Sequence, residues 1–313
     1  MSNNAYLWLK NKTNVNFKEI LADKSAWVRL LFLICAALAS VFVIMIVLGL
    51  ASGFAAQLMH LPARAVIESI NFLKIAQLLT TFSLFLLPAL FLAYVSSHSF
   101  ARVMLNKTIP NLWSILLVTA IFILIQPIMN LMVDWGSHIP LTQWMIDKNE
   151  ANEKLLERFL NVHTGGALLL NWLVVALLPA IGEEFFFRGS LQRLFAEKMN
   201  IHVAIWLSAL LFSLVHVEFS AFIPRVFLGA CLGYMLAWSG SIWLPVLGHL
   251  VNNTIGVAGS YLLYNHHISN DVEQIGTGSM QWFAWVTLVI ALAFIWLLKK
   301  TSQKNLPHND QLG

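Results

Sequence analysis

The sequence contains few charged residues, and this scarcity excludes an ordinary soluble domain. Only 11% of its 313 residues are Asp, Glu, Lys or Arg, whereas 58% are hydrophobic and the mean hydropathy is +0.73. Soluble chains carry about 25% charged residues, so this chain lacks the charged groups that would cover a water-exposed surface. Lipid is therefore the expected solvent for much of it.

Cysteines and basic clusters are also scarce. The two cysteines, Cys35 and Cys231, both lie in apolar runs, so we expect buried thiols and no disulfide framework. Lys and Arg do not cluster with aromatic residues, so no nucleic-acid partner is expected. The polar first 24 residues precede an apolar run that is too long for a signal-peptide core, so no cleavable signal is predicted.

Long apolar stretches dominate what remains, and they predict an all-α polytopic membrane helix bundle with about eight transmembrane helices. Most of the stretches reach the ~20 residues that a helix needs to cross the hydrocarbon layer. Backbone groups in lipid must bond to one another within the segment, which favours helices over open strands. The stretches cover residues 30–56, 75–97, 112–133, 167–187, 201–217, 220–238, 241–264 and 282–298.

The distribution of Lys and Arg predicts that both termini face the cytoplasm. With the N-terminus inside and eight crossings, thirteen Lys and Arg residues fall on the inner side and six on the outer side. This is the positive-inside bias of membrane proteins. The longest loop, 134–166, is expected to carry a short surface helix near residues 148–159.

Two adjacent carboxylates stand out in the second half of the chain. Glu183 and Glu184 lie between an apolar run and three phenylalanines, and ionisable residues in such sequence are functional candidates. On a helix Glu184 and Arg188 share one face, whereas Glu183 points about 100° away. Arg188 can thus hold one carboxylate while the other is free to take a proton from water. The alternative is an interfacial Glu–Arg pair that anchors the helix end.

Two histidine motifs follow in later apolar stretches. Phe212-x-x-x-His216 ends the fifth stretch, and His249-x-x-x-Asn253 lies in the seventh. His249 and Asn253 share a helical face, where they can bind a metal or donate hydrogen bonds to an oxyanion. Taken singly, His216 is more often a structural residue, and His249 with Asn253 equally fits an interhelical hydrogen bond.

Considered together, these polar residues lie on three separate predicted helices and so indicate one shared site. Helix bundles build sites where side chains from several helices converge. A carboxylate with two imidazoles can activate water, directly or through a divalent metal. Hydrolysis is the predicted chemistry.

Residues 179–256 resemble the CAAX-protease and bacteriocin-processing family of intramembrane proteases, which includes the Rce1-type prenyl proteases. The three family motifs occur in order as Glu183-Glu184-x-x-x-Arg188, Phe212-x-x-x-His216 and His249-x-x-x-Asn253. The resemblance implies peptide-bond hydrolysis in a membrane cavity, with a peptide or membrane protein as substrate and the lipid bilayer around it. It also implies a multi-pass protein of the cell membrane, here a bacterial inner membrane.

The resemblance also implies a role for each motif residue. Glu183 and His216 would activate the attacking water, with Phe212 as support. Glu184 and Arg188 would orient the site. His249 and Asn253 would stabilise the oxyanion or complete a metal site.

The cofactor expectation is one divalent metal, zinc first, held by Glu183, His216, His249 and Asn253. A metal-free glutamate mechanism stays open, because the family is described in both ways. The sequence lacks the His-Glu-x-x-His zinc helix. Along the chain we expect a cytoplasmic tail (1–25), helices one to three with a loop (26–165), the catalytic helices four to seven (166–264), and a last helix with a tail (265–313).

Two other functions compete with the protease. One is a non-catalytic membrane immunity or regulatory protein that keeps the same cavity. The other is a small transporter with a proton or ion relay, although no inverted repeat is visible.

One difficulty concerns the depth of the motifs in the membrane. Glu183 lies near the inner end of the fourth stretch, whereas His216 lies about 22 Å along the fifth at 1.5 Å per residue. They meet only if the fifth span is tilted or starts late, or if the fourth extends well past Glu184.

Overall fold

Helices form every regular element of the described chain, which confirms the predicted all-α bundle. The computed structural model describes residues 20–96, 110–269, 272 and 274–303. Most of the predicted N-terminal tail and the end of the C-terminal tail lie outside these residues. The principal helices are α1 (Ala26–Met59), α2 (Ile70–Val95), α3 (Leu112–Ser137), α4 (Gln143–Leu160), α5 (Gly165–Ala196), α6 (Ile201–Leu214), α7 (Phe222–Ser239), α8 (Trp243–Tyr264) and α9 (Gln281–Gln303).

Short polar side chains begin five of these helices. Each accepts a hydrogen bond from a backbone N–H of the first turn, which otherwise lacks a partner. The capping residues are Ser25, Ser69, Asn111, Thr164 and Asn200.

Each of the eight predicted apolar stretches lies largely on a helix, and six helical segments of the described residues are long and apolar enough to cross a membrane. These are α1, α2, α3, α5, α7 and the segment Gly278–Ser302 that contains α9. Helix α6 has 14 residues, and the 22-residue α8 carries His249, Asn252 and Asn253. A multi-pass membrane protein is therefore confirmed, whereas complete crossings by α6 and α8 stay predictions.

Helix α1 packs against the bundle on one side only. Of the residues in its most apolar stretch, 11% are buried, and Leu38, Phe42 and Leu50 are exposed where lipid tails would surround them. The predicted burial of the Cys35 thiol is wrong, because Cys35 lies on this exposed helix. Cys231 on α7 is half-buried, and both cysteines are free.

Helix α5 is longer than the apolar stretch that predicts it. The stretch ends at residue 187, but the helix continues to Ala196, because Arg188 and Gln192 are buried within the bundle rather than at the membrane surface. Arg188 thus lies inside the bundle, and its count toward the inner side is not supported. The orientation of the termini stays a prediction.

This extension brings the motifs to similar depths. Glu183 lies 13 residues before the end of α5, and His216 lies 15 residues after the start of α6. At 1.5 Å per residue these positions are about 20 and 22 Å from the α5–α6 turn. The fourth span therefore extends well past Glu184, as one of the alternatives requires.

Helix α5 occupies the centre of the bundle. It packs against α2, α6 and α8, while α6 packs on α7 and α3 packs on α8 and α9. The amphipathic helix α4, where a short surface helix is predicted, contacts α2, α5 and α8. The largest core cluster includes Phe122, Phe187 and Phe212, and it lies directly beside the polar motif residues.

Candidate active site

The structure brings the three motifs together around Glu183. Glu183 Oε2 lies 3.6 Å from His216 Nε2 and 3.9 Å from His249 Nε2. Glu183 is 7% and His249 4% exposed, while the His216 side chain is 28% exposed. Residues far apart in sequence on α5, on α8 and in the turn after α6 thus form one cluster.

A buried ion pair supports this cluster from behind. Arg188 Nη1 donates to Glu184 Oε1 at 2.9 Å, and both side chains are almost completely inaccessible. Arg188 Nη2 also donates to the Gly229 carbonyl at 3.0 Å. The same Glu184 oxygen lies 2.8 Å from His249 Nδ1, so the pair fixes the orientation of the His249 ring.

Hydrogen bonds assign the ring protons of both histidines. His216 Nδ1 lies 2.7 Å from the Phe212 carbonyl, which only accepts, so Nδ1 carries a proton. By the same argument His249 Nδ1 donates to the Glu184 carboxylate. Each Nε2 atom is therefore the nitrogen that faces Glu183 and is available for chemistry.

Phe212 separates the two imidazoles from the guanidinium group. Its ring lies 5.0 Å from the His216 ring and 5.7 Å from the His249 ring, both in edge-to-face geometry. Arg188 Cζ lies 4.5 Å from the Phe212 ring centre, a favourable cation–π distance. Phe212 therefore supports the site through packing, in agreement with its position in the second motif.

Asn253 lines the same cavity, and it hydrogen-bonds to an irregular turn of α5. Pro179 has no N–H, so the carbonyl of Val175, four residues earlier, lacks its α-helical donor. Asn253 Nδ2 donates to this carbonyl at 3.4 Å. The surrounding turn, Trp172–Leu177, is π-helical, and such turns are frequent at functional sites.

A cavity of about 450 Å³ opens onto the cluster. Glu183, His216, His249 and Asn253 line it, and so does an apolar face of α4 that includes Leu155 and Phe159. Its rim carries an ion pair in which Arg225 Nη2 donates to Glu218 Oε2 at 2.6 Å. The cavity can therefore admit a ligand between polar catalytic candidates and an apolar wall.

Sequence reasoning missed the contribution of α4 and of Asn252. Asn252 lines the cavity beside Asn253, whereas the i+4 spacing from His249 points only to Asn253. The apolar residues of α4 recur at helical spacing. This pattern predicts an apolar face that packs on other residues, but it does not identify the site that the face lines.

Two asparagines of α4 also hold the turn that carries His216. Val217 has a φ of +48°, which is rare for a β-branched residue. Asn152 Nδ2 donates to the Val217 carbonyl at 3.2 Å, and the Phe219 N–H donates to Asn149 Oδ1 at 2.8 Å. These contacts keep the backbone after His216 in an unusual conformation and so position the imidazole.

The predicted metal site is not assembled by these side chains as they stand. Among the residues described, no three or more His, Cys, Asp or Glu side chains are grouped so as to hold a metal ion. Zinc needs its nitrogen and oxygen ligands at about 2.0–2.2 Å from one point. The Nδ1 hydrogen bonds of both histidines do match those of metal-bound imidazoles, so metal binding stays a prediction.

Fold and cluster together define a multi-pass helical membrane protein in which Glu183, His216 and His249 form one cluster beside a cavity. Residues 165–255 match the family model of the type II CAAX prenyl endopeptidase Rce1-like family. The predicted resemblance is therefore confirmed over this segment, which contains all three motifs.

Two proteins of Bacillus subtilis (strain 168) are similar to this chain. "Uncharacterized protein YpbD" is 28% identical over 85 residues, which is 26% of this chain and 41% of that protein. "Putative membrane peptidase YdiL" is 27% identical over 111 residues, which is 36% of this chain and 44% of that protein. The similarity thus spans less than half of either relative. No solved structure matches.

Proposed function

We propose that this protein is an intramembrane endopeptidase that hydrolyses a peptide bond in the cavity beside Glu183. The observation that carries the proposal is the convergence of Glu183 with His216 and His249, at 3.6 and 3.9 Å, on the wall of that cavity. The match to a prenyl endopeptidase family and the similarity to a protein named as a membrane peptidase support it.

In this proposal Glu183 is the general base. Its carboxylate takes a proton from water while the water oxygen attacks the peptide carbonyl carbon, and His216 Nε2 orients the same water through a hydrogen bond. When the C–N bond breaks, Glu183 returns the proton to the leaving amine. One carboxylate thus serves as base and then as acid, and no step requires a metal.

The oxyanion would be stabilised by His249 and Asn253 on α8. When Nε2 of His249 also carries a proton, the ring keeps Nδ1–H on Glu184 and donates Nε2–H to the developing negative charge. Asn253 Nδ2 can exchange its long 3.4 Å bond to Val175 for one to the same oxygen. Arg188 holds Glu184 in place, which keeps the donors preorganised.

The experiment is cleavage by the purified protein in proteoliposomes containing ¹⁸O-labelled water. The probe is a synthetic library of ten-residue peptides with apolar centres, and the products are identified by mass spectrometry. Hydrolysis places one ¹⁸O in the new C-terminal carboxylate of each N-terminal product. Peptide binding without cleavage would contradict the proposal and favour the non-catalytic immunity or regulatory protein.

Zinc assistance is a separate proposal that elemental analysis of the same preparation tests. If a metal takes part, we expect about one equivalent per chain, with loss of cleavage on chelation and recovery on zinc addition. Cleavage by metal-free protein would contradict zinc assistance and retain the glutamate mechanism.

Asn152 gives a prediction about positioning. Asn152→Asp keeps the shape of the side chain but removes the N–H that Val217 accepts, so the turn carrying His216 should relax. Because small displacements of catalytic groups are costly, we expect kcat to fall about tenfold or more with little change in KM. Steady-state kinetics would measure both constants.

The matched control is Glu153→Gln on the exposed side of the same helix. It should leave both constants unchanged. An unaltered kcat in Asn152→Asp would show that the asparagine does not position His216.

A further inference from the structure

A second cavity lies next to the first, and the catalytic proposal makes no use of it. It measures about 640 Å³ and is lined by residues of α3, α8, α9 and the segment between α8 and α9. Most of its lining is apolar, including Ile123, Leu124, Leu263 and Phe283. The second cavity is therefore larger than the catalytic cavity.

The two cavities share part of their wall. Asn252 and Gly256 line both of them. Asn252 Nδ2 donates to Asn253 Oδ1 at 3.3 Å, and Gln126 Nε2 donates to Asn252 Oδ1 at 3.2 Å. These bonded amides form part of the boundary between the cavities, whereas at Gly256 the shared wall is open, because an added Cβ there would meet nothing within 4 Å. One extended ligand can therefore lie across the boundary at Gly256.

Two glycines leave helix α8 open toward this cavity. A Cβ added at Gly248 would collide with the Phe122 ring, whereas a Cβ at Gly256 or Gly259 would meet nothing within 4 Å. Asn252, Gly256 and Gly259 recur at i, i+4 and i+7, on one face of the helix. The missing side chains leave backbone surface that another chain can approach closely.

The lining combines the two kinds of group that an extended peptide needs. Apolar walls accept apolar side chains, and Gln126, Asn130 and Asn252 supply amide groups among them. The side-chain amides of Gln126 and Asn130 donate to the Phe122 and Ile275 carbonyls. No described residue donates to Gln126 Oε1 or Asn130 Oδ1, so these oxygens can accept from the N–H groups of a peptide backbone, which needs such partners at membrane depth. A hydrocarbon chain offers these oxygens no donor, so the lining favours a peptide over a lipid tail.

We infer that the second cavity is a substrate subsite that binds apolar residues of an unmodified, extended peptide on one side of the scissile bond. The inference rests on the proposed peptidase function and names its substrate class. Asn252 lies at the boundary between the subsite and the catalytic cluster. Specificity for bulky apolar residues follows from the size and lining of the cavity.

Gly259→Leu tests the subsite, because Gly259 lines the second cavity but not the catalytic one. The probes are library peptides that the wild-type protein cleaves, sorted by Ala or by Leu and Phe at the positions flanking the bond. Filling the cavity should lower kcat/KM about tenfold or more for the bulky peptides and leave the Ala peptides unchanged. Gly53→Leu on α1, where a Cβ also meets nothing within 4 Å, should change neither class.

Equal losses for both peptide classes, or no loss for either, would overturn the subsite. This failure differs from failure of the peptidase proposal, which would appear as ¹⁸O-free products or as cleavage that persists in Glu183→Gln. The subsite assay therefore tests the location of the substrate separately from the chemistry.

A binding measurement without turnover uses Gly259→Cys in the Glu183→Gln background. An apolar maleimide labels the introduced thiol, and Cys35, which is exposed on α1, serves as an internal reference. Addition of a bulky apolar peptide should slow labelling at position 259 and leave the Cys35 rate unchanged. Labelling at 259 that is blocked by lipid without peptide, or that peptide does not slow, would contradict the inference.

Discussion

Glu183→Gln is expected to abolish peptide cleavage, with kcat lowered by about 10³-fold or more, while the protein stays folded. An amide cannot take a proton from water, and general base catalysis typically contributes 10²–10⁴-fold. The substitution keeps the shape of the side chain, so the cavity and its other donors are retained. Cleavage of the peptide library, followed by mass spectrometry, measures the loss.

Retention of the fold follows from the surroundings of Glu183. Its Oε2 atom has no hydrogen-bond partner among the described residues, so the substitution breaks no bond that stabilises the bundle. The amide N–H₂ of Gln can instead donate to one of the Nε2 atoms nearby. The unfolding temperature in detergent should therefore change by only a few degrees, which corresponds to about 1 kcal/mol or less.

Glu153→Gln serves as the control for loss of a carboxylate, because Glu153 lies exposed on α4. It should cleave the library at the wild-type rate. Substantial cleavage by a well-folded Glu183→Gln protein would remove Glu183 from the mechanism and with it the proposed chemistry.

Glu184→Leu is expected to act mainly on stability, with a loss of about 3–5 kcal/mol in the free energy of unfolding. The substitution leaves the Arg188 guanidinium, which is 0% exposed, without its carboxylate. It also removes the acceptor of His249 Nδ1. An uncompensated charge in the interior of a bundle is costly because neither water nor a counter-ion replaces the lost partner.

A double variant separates this charge effect from simple packing. Glu184→Leu combined with Arg188→Met removes both charges, so the unfolding free energy should recover part of the loss. Denaturant titration in detergent measures each variant. If the double variant is no more stable than Glu184→Leu alone, the ion pair is not what holds this part of the bundle.

The ion pair between Arg29 and Glu197 supplies a matched comparison. The Glu197 side chain is 39% exposed, and partly hydrated pairs contribute little. Glu197→Leu should therefore cost less than about 1 kcal/mol. The contrast with Glu184 isolates burial as the cause.

Much of the fold can be predicted from composition and hydropathy. Each apolar stretch became a helix because lipid offers the backbone no other hydrogen-bond partners. The limits of the helices were less predictable, since Arg188 and Gln192 look like residues at a membrane surface in the sequence. In the bundle they bond to the Gly229 and Gly233 carbonyls, and α5 continues past them.

The sequence predicts which residues form the candidate site but not how they are arranged. Glu183, His216 and His249 stand out because ionisable groups are rare in apolar sequence. Their mutual distances depend on the lengths of α5 and α6 on either side of one turn. The wall that α4 provides depends on packing between elements that are distant in the chain, which no local pattern reports.

Membrane location, helical class and the identity of the polar cluster thus follow from the order of residues alone, because each depends on local chemistry and on lipid as the solvent. Tertiary packing alone decides that the Glu184 carboxylate accepts hydrogen bonds from both Arg188 and His249. It also decides that the Asn152 amide holds the turn after His216, and that a second cavity adjoins the first. These are contacts between helices, and their free energy depends on which side chains meet at the same depth.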